Sequence, residues 1–395
     1  MADVISGFGG ADIDPEIAAA PQASYRLMQE HTPVLRLDGM VMISRHEDVM
    51  HALRHPEIFS SNMDAIDIGN VRPLIPLQID PPDHVKFRRL LDPLFSPKEV
   101  AKLEPDVRRL VNELIDEFET AGECEFSEQF AIPLPCTVFL ALLGLPIEDL
   151  ALTLRFKDAI IRPEGGHGGG TAKDIQAAAG QEIYAYFQGV VDARRAEPRD
   201  DLISGFIAAE VDGHRLSDND ILDICYLFLL AGLDTVTASL TCAVAYLAAH
   251  PDRRDAIAAD PSLVPAAVEE LLRWESIVPA VPRVALNDIE IAGETVRAGE
   301  PVMCMIGAAN IDPGEFAGAD VVDLERPGNR HLAFGGGVHR CLGSHLARLE
   351  MRVAIEELHR RLPDYAVKEG ETPRYTMGIR AVEYLPLVFT PVTTA

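Results

Sequence analysis

Cys341 closes the stretch Phe334-Gly-Gly-Gly-Val-His-Arg-Cys341-Leu-Gly343. An apolar helical pattern follows at once. Leu342, Leu346, Leu349 and Val353 recur at four, three and four residues, which is one helix face. The cysteine therefore stands just ahead of a helix N-terminus, where unpaired N–H groups and the positive end of the helix dipole favour a thiolate over a thiol. Gly335, Gly336, Gly337 and Gly343 carry no Cβ, so a flat, bulky group could approach this backbone. A thiolate beside such a platform is what a haem iron requires of an axial ligand. Taken alone, the loop is also compatible with a buried structural cysteine.

Three further groups have chemical potential. Ala231-Gly232-Leu-Asp234-Thr235 interrupts a long apolar helical pattern running from Ser217/Asp218 to His250. An interior glycine costs about 1 kcal/mol against alanine. A buried aspartate is costly unless hydrogen-bonded, and a helical threonine can bond the carbonyl four residues back and bend the helix. Three locally unfavourable choices in a row mark a functional site. His84 and Arg88 follow Asp80-Pro81-Pro82-Asp83, a helix opening, and share one face. Glu270 and Arg273, three apart, share another; on a solvated surface either pair would mean little.

Together these stretches resemble the cytochrome P-450 superfamily, bacterial soluble class. Phe334, Gly337, Cys341 and Gly343 fill the family's Phe-x-x-Gly-x-x-x-Cys-x-Gly pattern, with His339 and Arg340 at typical positions. The other motifs follow in family order over residues 20–390. The resemblance implies a mainly α fold with small β-sheets, a triangular prism with the haem between the I and L helices. It implies haem b (iron protoporphyrin IX) with Cys341 as axial thiolate and metal ligand. By the same resemblance, Phe334, Gly335, His339 and Gly343 line the cofactor, and His84, Arg88 and Arg283 hold its propionates. Ala231 and Gly232 leave a notch for dioxygen, while Asp234 and Thr235 deliver protons. Glu270, Arg273 and Arg326 form a buried structural ion network. Pocket residues are expected among 60–79, with Leu227, Leu230, Ala231, Pro279, Val281 and Ile379. Two departures stand out: Ile311 where many members carry arginine, and a Phe316–Asp320 segment without the usual proline. Both are expected to affect only surface detail.

The implied activity is insertion of one atom of dioxygen into a hydrophobic small molecule by hydroxylation or epoxidation. No Gly-x-Gly-x-x-Gly follows a strand pattern, so electrons are expected from a separate iron–sulfur ferredoxin and its reductase. A haem peroxygenase using hydrogen peroxide is one alternative; its relatives usually lack the acid–alcohol pair. A non-catalytic haem gas sensor is another, though it would need no proton relay. Basic residues in the segments around the cysteine loop (Lys86, Arg89, Arg108, Arg109, Arg340, Arg348 and Arg352) form an expected docking patch for an acidic ferredoxin.

Composition narrows the setting. The 395 residues carry 35 Lys+Arg against 62 Asp+Glu, a net charge of −27, which disfavours nucleic acid and anionic membranes. The N-terminus lacks the basic start and apolar core of a signal peptide, and the run Ile224–Leu233 is short for a bilayer, so a soluble, cytoplasmic monomer is expected. The six cysteines show no Cys-x-x-Cys spacing, and five read as small buried residues. No linker divides the chain, so residues 1–395 read as one domain, with 1–14 flexible.

The elements that must position these residues follow from pattern. Helices are expected at 15–32, 46–55, from 80 on, over 218–249, 265–274 and 344–361. Val34 to Ser44 is a hairpin about Asp38-Gly39. Residues 58–79 are a loop, and Pro163 to Gly170, with His167, reads as a flexible loop equivalent to the family's substrate lid. Short strands follow at 289–291, 295–296 and 302–306.

Overall fold

The computed structural model describes residues 15–37, 39–62, 68–163, 171–211, 213–376 and 378–392. The 1–14 segment and most of the lid loop, including His167, lie outside the described residues. The chain folds into two compact units interleaved in sequence. One comprises the chain through Ser60, Val100–Leu134 and everything from Thr235 on; the other comprises Ser61–Glu99 and Pro135–Asp234.

The first unit is built on a five-stranded sheet ordered Val34–Leu37, Met40–Ile43, Pro301–Cys304, Val281–Ala285 and Phe59–Ser60. The predicted hairpin is present, Leu37 pairing with Met40 and Gly39 at φ +79°. Pro301–Cys304 runs parallel to Met40–Ile43 and antiparallel to Val281–Ala285. Alternate residues Val41, Ile43, Val302 and Cys304 are buried with Val49, Ala52 and Leu53 of the helix His46–Arg54 and with Leu332. That core makes the helix a fixed platform for the cysteine loop. Ile311, expected at the surface, is instead 1% exposed and packs with Tyr25, Met28 and Met305. An aliphatic side chain there extends the core.

Helices Val264–Glu275 and Ser344–Arg361 match their predicted spans closely. The 15–32 pattern divides into Pro15–Ala19 and Gln22–His31, because Pro21 interrupts it. Glu104–Asp116 packs on Ser344–Arg361, burying Val107 and Val111.

In the second unit, Asp83–Leu91 is the helix that carries His84 and Arg88, starting later than Asp80 because Pro81 and Pro82 precede it. The 68–79 stretch is irregular but anchored. Arg72 Nε donates to Asp223 at 2.8 Å, the Tyr184 hydroxyl donates to the same carboxylate at 2.9 Å, and the Tyr226 hydroxyl donates to the Ile68 carbonyl at 2.8 Å. Gly180 is obligatory here, since a Cβ would fall 2.1 Å from the Gly69 carbonyl oxygen.

One helix, Asp218–Ala249, runs through both units as predicted. Ser217 and Asp220 start it with reciprocal capping bonds: the Ser217 amide donates to Asp220 at 2.8 Å, and the Asp220 amide to Ser217 Oγ at 3.2 Å. At 32 residues it is long and apolar enough to cross a bilayer, yet 72% of its most apolar window is buried within the protein. That burial is the pattern of a core helix.

Candidate active site

In the first unit the cysteine loop is set by backbone bonds. The Cys341 amide donates to the Phe334 carbonyl at 2.9 Å, and the Gly335 amide to the Leu332 carbonyl at 2.7 Å. Gly335 and Gly337 sit at φ +67° and +64°, a region that favours glycine. Gly337 is also sterically fixed, because a Cβ would lie 2.1 Å from the Leu53 carbonyl oxygen of the platform helix. By contrast, a Cβ on Gly335 or Gly343 would meet no atom within 4 Å. Cys341 is exposed, whereas Cys124, Cys136, Cys225, Cys242 and Cys304 are buried. An exposed thiol beside open glycines, just ahead of the Ser344–Arg361 helix, fits a flat metal-bearing cofactor and does not fit a structural core cysteine.

The ion network expected of Glu270, Arg273 and Arg326 is formed. Arg273 grips Glu270 through two bonds of 2.8 and 2.7 Å, and both residues are 0% exposed. Arg326 Nε adds bonds of 2.9 and 3.1 Å, the Asp323 amide one of 2.8 Å, and Asn329 Nδ2 one of 3.0 Å. Burial alone would raise the Glu270 carboxyl, but the donors override it and hold it below the usual range. Arg273 also donates to the carbonyls of Asn310, Ala319 and Val321. Asn310 carries the order onward: it is 0% exposed, and its Oδ1 accepts the Leu332 amide at 2.6 Å, two residues before Phe334. Asn310 was not foreseen as a support of the loop.

Arg283 lies in strand Val281–Ala285, 6% exposed, with Nη1 donating to the Pro282 carbonyl at 2.7 Å. Pro279, Val281 and Ile379 are half-buried. A surface cleft of about 410 Å³ in this unit, lined by Tyr246, Trp274, Glu275 and Tyr375 among others, contains none of the predicted site residues.

Five of the seven cations of the expected docking patch have carboxylate partners. Arg108 is bound by Glu104, Glu356 and Glu357, and Arg352 by Glu104 and Glu356. Arg109 pairs with Asp106 and Glu113, Arg348 with Glu269 and, in the second unit, Lys86 with Asp83. Local carboxylates thus offset each of these five cations, an outcome a strongly acidic chain makes available.

In the second unit Asp234 is 3% exposed and carries two cations: Lys157 Nζ donates at 3.0 Å and Arg162 Nη2 at 3.4 Å. Lys157 is itself 5% exposed. The pair satisfies the aspartate that the helix pattern left unexplained. The notch expected of Ala231 and Gly232 involves two positions with different surroundings. A Cβ there would meet the Phe139 ring at 2.5 Å, so the glycine admits a neighbouring side chain. Ala231 is exposed, with Leu227 and Thr235 half-exposed four residues to either side on the same face. Leu230, on another face, is buried.

His84 is 2% exposed, and burial, then the charge of Arg88, lowers its pKa. Arg88 Nε bonds Asp92 at 2.7 Å. A neutral imidazole still donates one hydrogen bond, and an added carboxylate would draw its pKa back up.

The Cytochrome P450 family model matches residues 160–371. The chain is 36% identical over 380 residues to a mycinamicin IV hydroxylase/epoxidase of Micromonospora griseorubida, covering 92% of this chain and 94% of that one. It is 35% identical over 376 residues to a steroid C26-monooxygenase of Mycobacterium tuberculosis, covering 94% of each. Among solved structures, cytochrome P450 CYP109Q5 from Chondromyces apiculatus superposes with a TM-score of 0.87 at 34% identity, over 96% of this chain and 98% of that one. The chain belongs to the cytochrome P450 family. It is accordingly a haem-thiolate oxidoreductase of the monooxygenase class, with the mainly α fold and small sheets of that family.

Proposed function

We propose that this chain, as one catalytic domain, hydroxylates or epoxidises a hydrophobic molecule of the size of mycinamicin IV or a steroid. The relatives named for mycinamicin IV and for steroid C26 oxidation support that size class, as does a structural neighbour from Bacillus megaterium solved with testosterone, with a TM-score of 0.88 at 28% identity. The half-buried apolar residues Leu227, Pro279, Val281 and Ile379 support an apolar pocket lining. The observation that carries the reading is Cys341, the exposed cysteine in a loop fixed by its own backbone bonds and by the close approach of Gly337 to Leu53.

The haem supplies dioxygen activation once bound, with electron density from a thiolate ligand. Cys341 is that ligand, and Phe334, Gly335, His339 and Gly343 form its surroundings. His84 and Arg88 in the second unit, and Arg283 in the first, are the residues that would donate charge-assisted hydrogen bonds to haem propionates. Thr235, on the open face of the long helix, orients and donates a proton through its hydroxyl. Asp234 relays protons toward it, and Lys157 and Arg162 fix the carboxylate when it is not doing so. Thr235→Ala is expected to leave haem binding unchanged while product per NADH falls and hydrogen peroxide rises. Asp234→Asn is expected to slow turnover by about a hundredfold, the scale of a positioned proton-transfer group. Peroxide and product assays check both, and unchanged coupling in Thr235→Ala would remove its hydroxyl from the relay.

Electrons come from an iron–sulfur ferredoxin and its reductase, and the protein is a soluble, cytoplasmic monomer. Because Arg108, Arg109, Arg348 and Arg352 of the expected docking patch are paired with carboxylates, we expect weak charge steering. Stopped-flow reduction by an acidic ferredoxin is expected to vary little with salt, and a steep fall with ionic strength would restore the basic-patch reading. Spectral titration with macrolides, steroids and fatty acids tests the substrate class. Binding confined to small aromatics would overturn it.

A further inference from the structure

Two consecutive acids of the Val264–Glu275 helix point to different tasks. Glu270 is taken up by Arg273 and Arg326, whereas Glu269 reaches the cysteine-loop region. Arg348, on the helix that follows the loop, donates to Glu269 through Nε at 2.6 Å and Nη2 at 2.8 Å, a bidentate fork. His331 Nε2 lies 3.0 Å from the same carboxylate. The Ala333 amide donates to His331 Nδ1 at 3.2 Å, so Nε2 is the nitrogen left to carry the proton offered to Glu269. Burial of Glu269 acts to raise its pKa, but the donors from His331 and Arg348 prevail and bring it down to about 2.

The two residues that Glu269 holds both flank Phe334. The Arg348 guanidinium lies 4.3 Å from the Phe334 ring centroid, and the His331 ring 6.1 Å from it. A guanidinium so close to an aromatic ring engages in a cation–π contact. Phe334 is also the residue whose carbonyl receives the Cys341 amide. The first link is thus electrostatic, the second is a packed ring, and the third is a backbone bond to the cysteine.

We propose that Glu269, Arg348 and His331 form a clamp on Phe334 that positions the Cys341 loop and sets the potential at which the bound haem is reduced. They are positioning residues, acting through Phe334. The clamp also reassigns Arg348: its charge is directed inward and balanced by Glu269, so it serves the loop in place of a redox partner. The proposal rests on Cys341 as the haem ligand.

Reduction adds negative charge at the iron, and a nearby uncompensated cation stabilises that state. Glu269→Gln keeps the shape but leaves Arg348 unbalanced. Its ferrous-to-ferric ratio at fixed potential is expected to rise about threefold, a shift of about 28 mV at 59 mV per tenfold for one electron. Arg348→Gln leaves the carboxylate in excess, and the shift is expected in the opposite direction. Arg348→Lys keeps the charge but loses the planar fork and the stack on Phe334. It is expected to lower the fraction of ferrous–carbonyl protein with the red-shifted Soret band. Spectroelectrochemical titration and carbonyl spectra of the haem-loaded variants read these effects without turnover. Wild-type potentials in both Gln variants, with a wild-type carbonyl spectrum in Arg348→Lys, would reduce the clamp to a passive brace. The wild-type carbonyl band tests the ligand assignment separately.

Discussion

Glu270→Ala is expected to yield a protein that loses folded, haem-binding material at temperatures the parent tolerates. The side chain is 0% exposed and accepts five hydrogen bonds from Arg273, Arg326, the Asp323 amide and Asn329, counting only one to each Arg273 nitrogen and the shorter one from Arg326. Its removal leaves the fully buried Arg273 guanidinium without its counter-charge. Breaking a buried pair in this way typically costs about 3–5 kcal/mol, a large share of the roughly 5–15 kcal/mol by which native proteins are stable. The damage would spread toward the site, because Arg273 bonds the Asn310 carbonyl and Asn310 Oδ1 holds the Leu332 amide ahead of the cysteine loop. Thermal unfolding followed together with haem content measures it; an unchanged midpoint would show that the network carries little stability.

The same carboxylates give the pH dependence a sign. Glu270 and Glu269 have folded pKa values below their unfolded ones. Their contribution is therefore fully present well above the unfolded value, about 4.3, and is lost as pH falls through the folded values, about 2 for Glu269. Both carboxylates contribute fully throughout the neutral range, and their contribution declines progressively once pH falls below the unfolded value.

The cysteine loop was legible because its requirements are local. Positive φ at Gly335 and Gly337 and a helix starting just beyond Cys341 are written in adjacent residues. The long helix was legible for a similar reason, its caps and its apolar run being contiguous. Glu270 and Arg273 were legible only as a spacing; their burial, which gives the pair its energetic weight, depends on chain that returns 37 to 59 residues later. Lys157 could not be paired with Asp234 from sequence, since 77 residues separate them and a lysine on a helix reads as solvated. The surroundings of Gly232 were not legible, because a missing Cβ has the same signature whether it admits a ligand or the Phe139 ring. The pairing of the arginines near the cysteine loop was not legible either. Sequence lists charges, while part of the carboxylate set that holds Arg108 and Arg352 comes from a facing helix about 250 residues away.

Cys341→Ser is the variant with the most complete expected effect. Serine preserves the size of the side chain and leaves intact the backbone bond from residue 341 to the Phe334 carbonyl, so the loop should keep its shape. An alcohol at that position does not supply thiolate donation. The difference spectrum of the ferrous–carbonyl protein therefore tests the central claim most directly. Wild-type protein is expected to show the red-shifted Soret band of thiolate ligation, and Cys341→Ser to lose it completely along with monooxygenase activity. Survival of that band in the serine variant would contradict the account, because the iron would then take its sulfur from one of the five buried cysteines or from no cysteine at all.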